Sequence, residues 1–201
     1  MNSVKIQNIQ RNEDWTKFWS YYQSQYHLIA ELERTLSYNF KSLNLLYEAL
    51  THRSSIYSIN KIILNQGGQE LELPWNERLE FLGDSVLQLS MSSLIWHLKK
   101  DLNEGGMSCL RAQLVSKSSL ANVARKIELK KYIVIGKSEE KNDIFEQDSI
   151  LANCLEGILG AIYLDGGYLV AKEVIQRVFV SCYGPEFKNS ETDYKSKLQE
   201  V

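Results

Sequence analysis

Glu77, Glu80 and Asp84 follow one another at spacings of three and four residues. On an α-helix those spacings stack side chains on one face. The stretch Asn76-Glu77-Arg78-Leu79-Glu80-Phe81-Leu82-Gly83-Asp84-Ser85 sets the acids among Leu79, Phe81, Leu82, Val86 and Leu87, apolar side chains expected to face a core. Three carboxylates on one stripe of an otherwise buried helix repel one another and lose hydration. A divalent cation is the simplest group that offsets both effects. The plainer reading is a solvated first turn, since acids favour helix N-termini and recur at these spacings on exposed faces.

A second stretch, Ser149 to Leu164, is almost wholly apolar and helical in length and composition. Ser149 or Asp148 is the expected N-cap. Beyond the first turn only Asn153 and Glu156 are polar, and they share a face. A Glu in so apolar a helix needs a partner. Ala152, Gly157, Gly160 and Ala161 would let another helix approach closely. Two packed helices, each offering oxygen ligands to the space between them, is the resulting expectation. Oxygen donors select hard cations such as magnesium, manganese or calcium. His27, His52 and His97 are scattered, and Cys109, Cys154 and Cys182 form no CxxC pair and are odd in number. Zinc and iron–sulfur chemistry and a disulfide framework are therefore not expected, and the thiols suggest a reducing, intracellular compartment.

Asn76 to Ser85 resembles the signature of the ribonuclease III family of double-stranded-RNA endonucleases. Further segments resemble that family in the same order: Tyr38-Asn39-Phe40, Leu45-Leu46, Ala49 to Ser54, Asn103 to Ser108 with Leu110-Arg111-Ala112, Leu114-Val115-Ser116, Leu129 to Lys137 with Glu139-Glu140, and Ser149 to Gly167. The resemblance covers roughly residues 36–180. It implies an all-α endonuclease domain of ribonuclease III type, working as a homodimer in which each subunit's acidic cluster cuts one strand of double-stranded RNA. Carried over by position, Glu80, Asp84 and Glu156 match metal ligands. Glu77 and Glu104 match accessory acids, and Phe81 matches an aromatic residue that inserts into the partner subunit. An ordinary core Phe is the alternative for Phe81. The implied cofactor is Mg2+, with Mn2+ able to substitute, and no small-molecule cofactor is implied.

Asn153 stands where the family places an aspartate. Its amide can still offer an oxygen but brings no charge, so metal binding should weaken. A natural variant that cuts, a naturally crippled enzyme and a deliberate substitution all remain open. The rival function is a dimer that no longer cuts and serves as an RNA-binding or scaffold protein.

The remaining chain frames this reading. Its 201 residues carry 44% apolar side chains, enough for one sizeable core. No apolar run approaches the ~20 residues needed to cross a bilayer, and no secretory signal is visible. A cytoplasmic location without membrane contact is expected. The charge balance is unusual for an RNA-binder, with 23 basic and 25 acidic residues giving −2.

The expected organisation is a helical extension over 1–35, the nuclease domain over 36–185, and 186–201 as a linker. Asp193 to Val201 resembles the opening of a double-stranded-RNA-binding domain. In the extension, Trp15, Phe18, Trp19, Tyr22, Tyr26, Ile29, Leu32 and Leu36 recur at helical spacing. This helix either covers the domain's own core or offers a partner surface. Residues 55–75 read as a loop closed by Pro74, with Ile62, Ile63 and Leu64 as a short packed element and RNA as a candidate contact. Residues 137–148 read as an exposed charged connection or an edge of the RNA-binding face.

Overall fold

The computed structural model describes residues 26–65, 67–70, 72–136 and 147–189. The expected all-α architecture is what these residues form. The helices are α1 (Tyr26–Leu36), α2 (Leu43–Leu50), α3 (Arg53–Asn65), α4 (Glu77–Leu98), α5 (Glu104–Leu114), α6 (Lys117–Lys126), α7 (Asp148–Gly166) and α8 (Tyr168–Asn189), with a 3-10 turn at Leu129–Lys131. β pairing among the described residues is limited to one parallel bridge, Thr51 to Val134. There His52 N–H donates to the Val134 carbonyl and Val134 N–H to the Leu50 carbonyl, each at 2.9 Å.

The apolar composition of α7 dictates its place. A helix apolar on every side is stable in water only when surrounded. Here α4, α2, α6 and α8 pack around it, and Leu151, Cys154, Leu155, Ile158, Leu159 and Ile162 are fully enclosed.

The approach of α4 to α7 is set by missing side chains. A Cβ on Gly83 would fall on the Glu156 carbonyl oxygen and lie 2.9 Å from the Gly160 nitrogen. A Cβ on Gly160 would fall on the Leu79 carbonyl oxygen. The helices therefore touch backbone to backbone at one crossing point. Roughly 60° round α7 from Gly160, a Cβ on Gly157 would meet the Ala49 carbonyl of α2 at 3.4 Å, and the Cys154 thiol donates to that same oxygen at 3.5 Å.

Asp165 ties the far end of α7 to the α1–α2 connection. The Tyr38 hydroxyl donates to its carboxylate at 2.6 Å, and the backbone N–H groups of Lys41 and Ser42 donate at 2.8 and 2.9 Å. Burial raises the Asp165 carboxyl, but these hydrogen bonds and the Lys41 charge outweigh it and hold it below the ordinary aspartate value.

Three expectations need correction. Residues 55–65 are helical, because Ile56, Asn60 and Ile63 recur at helical spacing and Ile56 and Asn60 are buried. Leu64 is exposed rather than packed. The glycines that suggested a loop end this helix instead: Gly67 has φ +79, with Gly67 N–H donating to the Leu64 carbonyl and Gly68 N–H to the Ile63 carbonyl, the pattern of a Schellman stop. Helix α7 starts at Asp148 behind an N-cap at Gln147, because the Asp148 carboxylate is drawn 2.7 Å from Arg125 instead of capping. On α4, Leu79, Gly83, Val86 and Leu87 are buried as a stripe, but Phe81 is 79% exposed and Leu82 half-buried. Phe81 lies roughly 200° round the helix from Leu79, away from that stripe.

The aromatic stretch at Trp15 to Tyr22, the segment 137–146 and the residues beyond 189 lie outside the described residues. Within α1, Ile29, Leu32 and Leu36 join the common core, so this part of the amphipathic segment covers the domain itself.

Two stability predictions result. Gly83→Ala forces α4 from α7 and should lower unfolding free energy by about 3 kcal/mol in urea denaturation, despite the ~1 kcal/mol gain in helix propensity. Gly105→Ala, inside α5 and with the nearest atom to a new Cβ 3.7 Å away, is the control without a clash and should leave stability equal or raised by up to about 1 kcal/mol. Asp165→Asn should destabilise the protein by about 1–2 kcal/mol near neutrality. Because the folded carboxyl is held low, the native advantage is full above the ordinary value near pH 3.9 and fades as pH falls through the lowered one. The two unfolding curves should therefore converge in acid.

Candidate active site

The glycine crossing brings the signature acids of α4 opposite Glu156 of α7. Glu80 and Asp84 flank Gly83 on one helix, and Glu156 lies one turn before Gly160 on the other. The fields of these groups overlap. Burial, then Asp84, then Glu80 push the Glu156 carboxyl up to about 7, while Lys117 draws it down. Burial and Glu77 raise the Glu80 carboxyl, Lys117 and a hydrogen bond from Asn153 lower it, and Asp84 raises it. A carboxyl whose charged form is disfavoured by both desolvation and like charge is poised for a cation or a proton.

The positions expected from the sequence divide into two sets. Glu80, Asp84, Asn153 and Glu156 come together. Glu77 is exposed and forms a 3.6 Å ion pair with Arg53, yet its charge still reaches Glu80. Glu104 opens α5 in solvent, where its carboxylate accepts a 2.9 Å hydrogen bond from Ser108, and it is not among the groups acting on Glu80 or Glu156. The Asn153 carboxamide lies where it favours the charged form of Glu80, as a polar group able to offer N–H to a carboxylate would. An aspartate there would add a further repelling charge. Lys117 was not anticipated, because it lies on α6, a helix that no sequence pattern connects to the acids. Gly83 was equally hidden, although its glycine-bearing counterpart on α7 suggested a close approach.

The family model described as Ribonuclease-III-like matches residues 42–182. The chain belongs to the ribonuclease III family. The "Ribonuclease 3" of Campylobacter concisus is 40% identical over 174 residues, which are 86% of this chain and 71% of that protein. The "Ribonuclease 3" of Caldanaerobacter subterraneus is 42% identical over 175 residues, 87% of this chain and 72% of that protein. In three dimensions the chain is similar to the nuclease domain of ribonuclease III from Campylobacter jejuni, with a TM-score of 0.68 and 38% identity, covering 78% of this chain and 99% of that one.

Ribonuclease III enzymes are endoribonucleases, and the family implies a divalent metal. The donor set of this ribonuclease III suits a hard cation in kind: three carboxylates and a carboxamide, all oxygen donors. As they stand, no three His, Cys, Asp or Glu side chains among the described residues converge enough to hold an ion. Glu80 and Glu156 have rotatable side-chain bonds that would let their oxygens turn toward a common ion.

The raised Glu156 carboxyl predicts a pH-linked site. Below about pH 7 the metal-free protein holds a proton on Glu156, which a cation must displace. Calorimetric titration with Mn2+ should show tighter binding at pH 8 than at pH 6, with proton uptake by the buffer at the lower pH. Equal affinity at both values would remove Glu156 from the ligand set.

Proposed function

We propose that this ribonuclease III chain hydrolyses phosphodiester bonds of double-stranded RNA as a magnesium-dependent homodimeric endonuclease. One observation carries the reading: Glu80, Asp84 and Glu156 stand beside a backbone-to-backbone helix crossing, and among the described residues no cation pairs with them at salt-bridge distance. In the proposal these three acids hold Mg2+, with Mn2+ as substitute. When bound, the cation polarises the phosphate and favours ionisation of an attacking water. The chain's own part is to keep the acids in register across the crossing and, through Asn153, to favour the charged form of Glu80. Glu77 and Glu104 remain supporting acids.

Phe81 supports dimerisation. An exposed Phe on a rigid helix is an unusual solvent neighbour, and Leu89 and Trp96 continue its face at 57% and 62% exposure. Such a strip suits burial against a second copy. The similar Campylobacter jejuni structure is described as having a region involved in dimer formation. Its description extends to this chain as part of the proposal. No described helix is long and apolar enough to cross a membrane. The free thiols of Cys109, Cys154 and Cys182 fit a reducing cytoplasm.

Asn153 favours a second reading, a dimer that binds RNA but cuts slowly or not at all. Glu156→Gln should lower cleavage of duplex RNA by more than about a hundredfold while the dimer persists in analytical ultracentrifugation. Normal magnesium-dependent cleavage by that variant would sink the assigned site. Asn153→Asp should lower half-saturating magnesium by about tenfold or more. Cleavage by both forms identifies a tolerant enzyme, cleavage by the Asp form alone an impaired one, and cleavage by neither the scaffold reading.

A further inference from the structure

Lys117 opens α6 at a corner that is held from several sides. Ser116 accepts a hydrogen bond from Ser119 N–H at 3.3 Å and donates to the Gln113 carbonyl at 2.8 Å. The Ser119 hydroxyl donates to the Leu114 carbonyl at 2.7 Å, and the Tyr183 hydroxyl of α8 donates to the Ser119 carbonyl at 3.0 Å. The backbone of Lys117 is therefore fixed, while its side chain is exposed.

The register of α6 against α7 places that side chain. Arg125 near the end of α6 pairs with Asp148 at the start of α7 at 2.7 Å. Eight residues back along α6 is Lys117, and eight residues forward along α7 is Glu156. The two helices pack against each other, and from the Arg125–Asp148 pair equal steps of about 12 Å lead back to Lys117 and forward to Glu156. Buried Leu120, Ala121, Val123 and Ala124 hold α6 to its neighbours between these points. Consistently, Lys117 is the cation that acts on both Glu80 and Glu156. Yet among the described residues it closes no ion pair, so its ammonium is not consumed by either acid.

An RNA phosphate entering a cleft of three carboxylates meets repulsion. A cation on the rim offsets it, and an ammonium, having donors only, does not compete for the oxygens a metal would use. Its compact charge on a flexible stem suits a phosphate that is not presented in one fixed geometry.

We propose that Lys117 is a substrate-binding residue, whose ammonium contacts an RNA phosphate beside the scissile position. This rests on the nuclease reading, so the test separates the two. Binding of a short RNA duplex by the whole chain is followed by filter binding in EDTA, without divalent cation, from about 50 to 200 mM salt. Lys117→Gln should weaken binding several-fold at the low-salt end. It should also make the slope of log affinity against log salt shallower by about one. Lys117→Arg should retain both, and the unfolding midpoint of each variant should match the parent. An unchanged slope and affinity in Lys117→Gln overturns the proposal. So does unchanged RNA binding with a lowered magnesium requirement, which would make Lys117 a counter-ion of the acids. Failure of the unaltered chain to cleave duplex when magnesium replaces the EDTA overturns the nuclease reading itself.

Discussion

The backbone contact between α4 and α7 at Gly83 and Gly160 is the constraint on which the rest depends. Side chains at a helix interface normally act as spacers, and here both helices lack them at one point. The helices sink together until Gly83 faces the Glu156 carbonyl. Every acid of the site lies within about one turn of that crossing. Its position is thus set by rigid backbone and not by a flexible loop, the arrangement that keeps a reactive constellation in register. The buried length of α7, wrapped by α2, α4, α6 and α8, supplies the apolar burial that holds the crossing shut.

The same crossing creates a conflict. Asp84 disfavours the ionisation of the half-buried Glu80 and Glu156, and Glu80 that of Glu156. For folding alone this is unfavourable, and a local conflict of this kind is where a binding function is expected to reside. Asn153 softens it by favouring the ionised form of Glu80. The chain thereby gives up a negative charge that would help hold a cation and gains a better-satisfied metal-free state. The Asp165 cluster is the contrasting case: its carboxylate is so well supplied with donors that it strengthens the fold.

The errors of sequence reading have specific causes. Helix α3 was hidden because its serines and asparagines look like a loop, while Asn60 is in fact buried and linked to Glu70 at 3.3 Å. Its glycines marked a helix end, and local composition does not distinguish a stop from a linker. Phe81 was grouped with the core because it is apolar, but helical phase turns it outward. Lys117 could not be found at all, since its relation to Glu156 exists only through the register of α6 on α7.

The helical class, the family and the two helices that carry the acids are legible in the sequence alone. These are local properties: periodicity, composition and a sustained family pattern over one stretch of chain. Only the packing of distant segments decides which faces turn outward, the meeting of Gly83 with Gly160, and the influence of Asn153 on Glu80 and of Lys117 on Glu80 and Glu156. Each is a contact between residues distant in sequence. Such contacts depend on where helices cross and in what register, and those follow from the packing of the whole core.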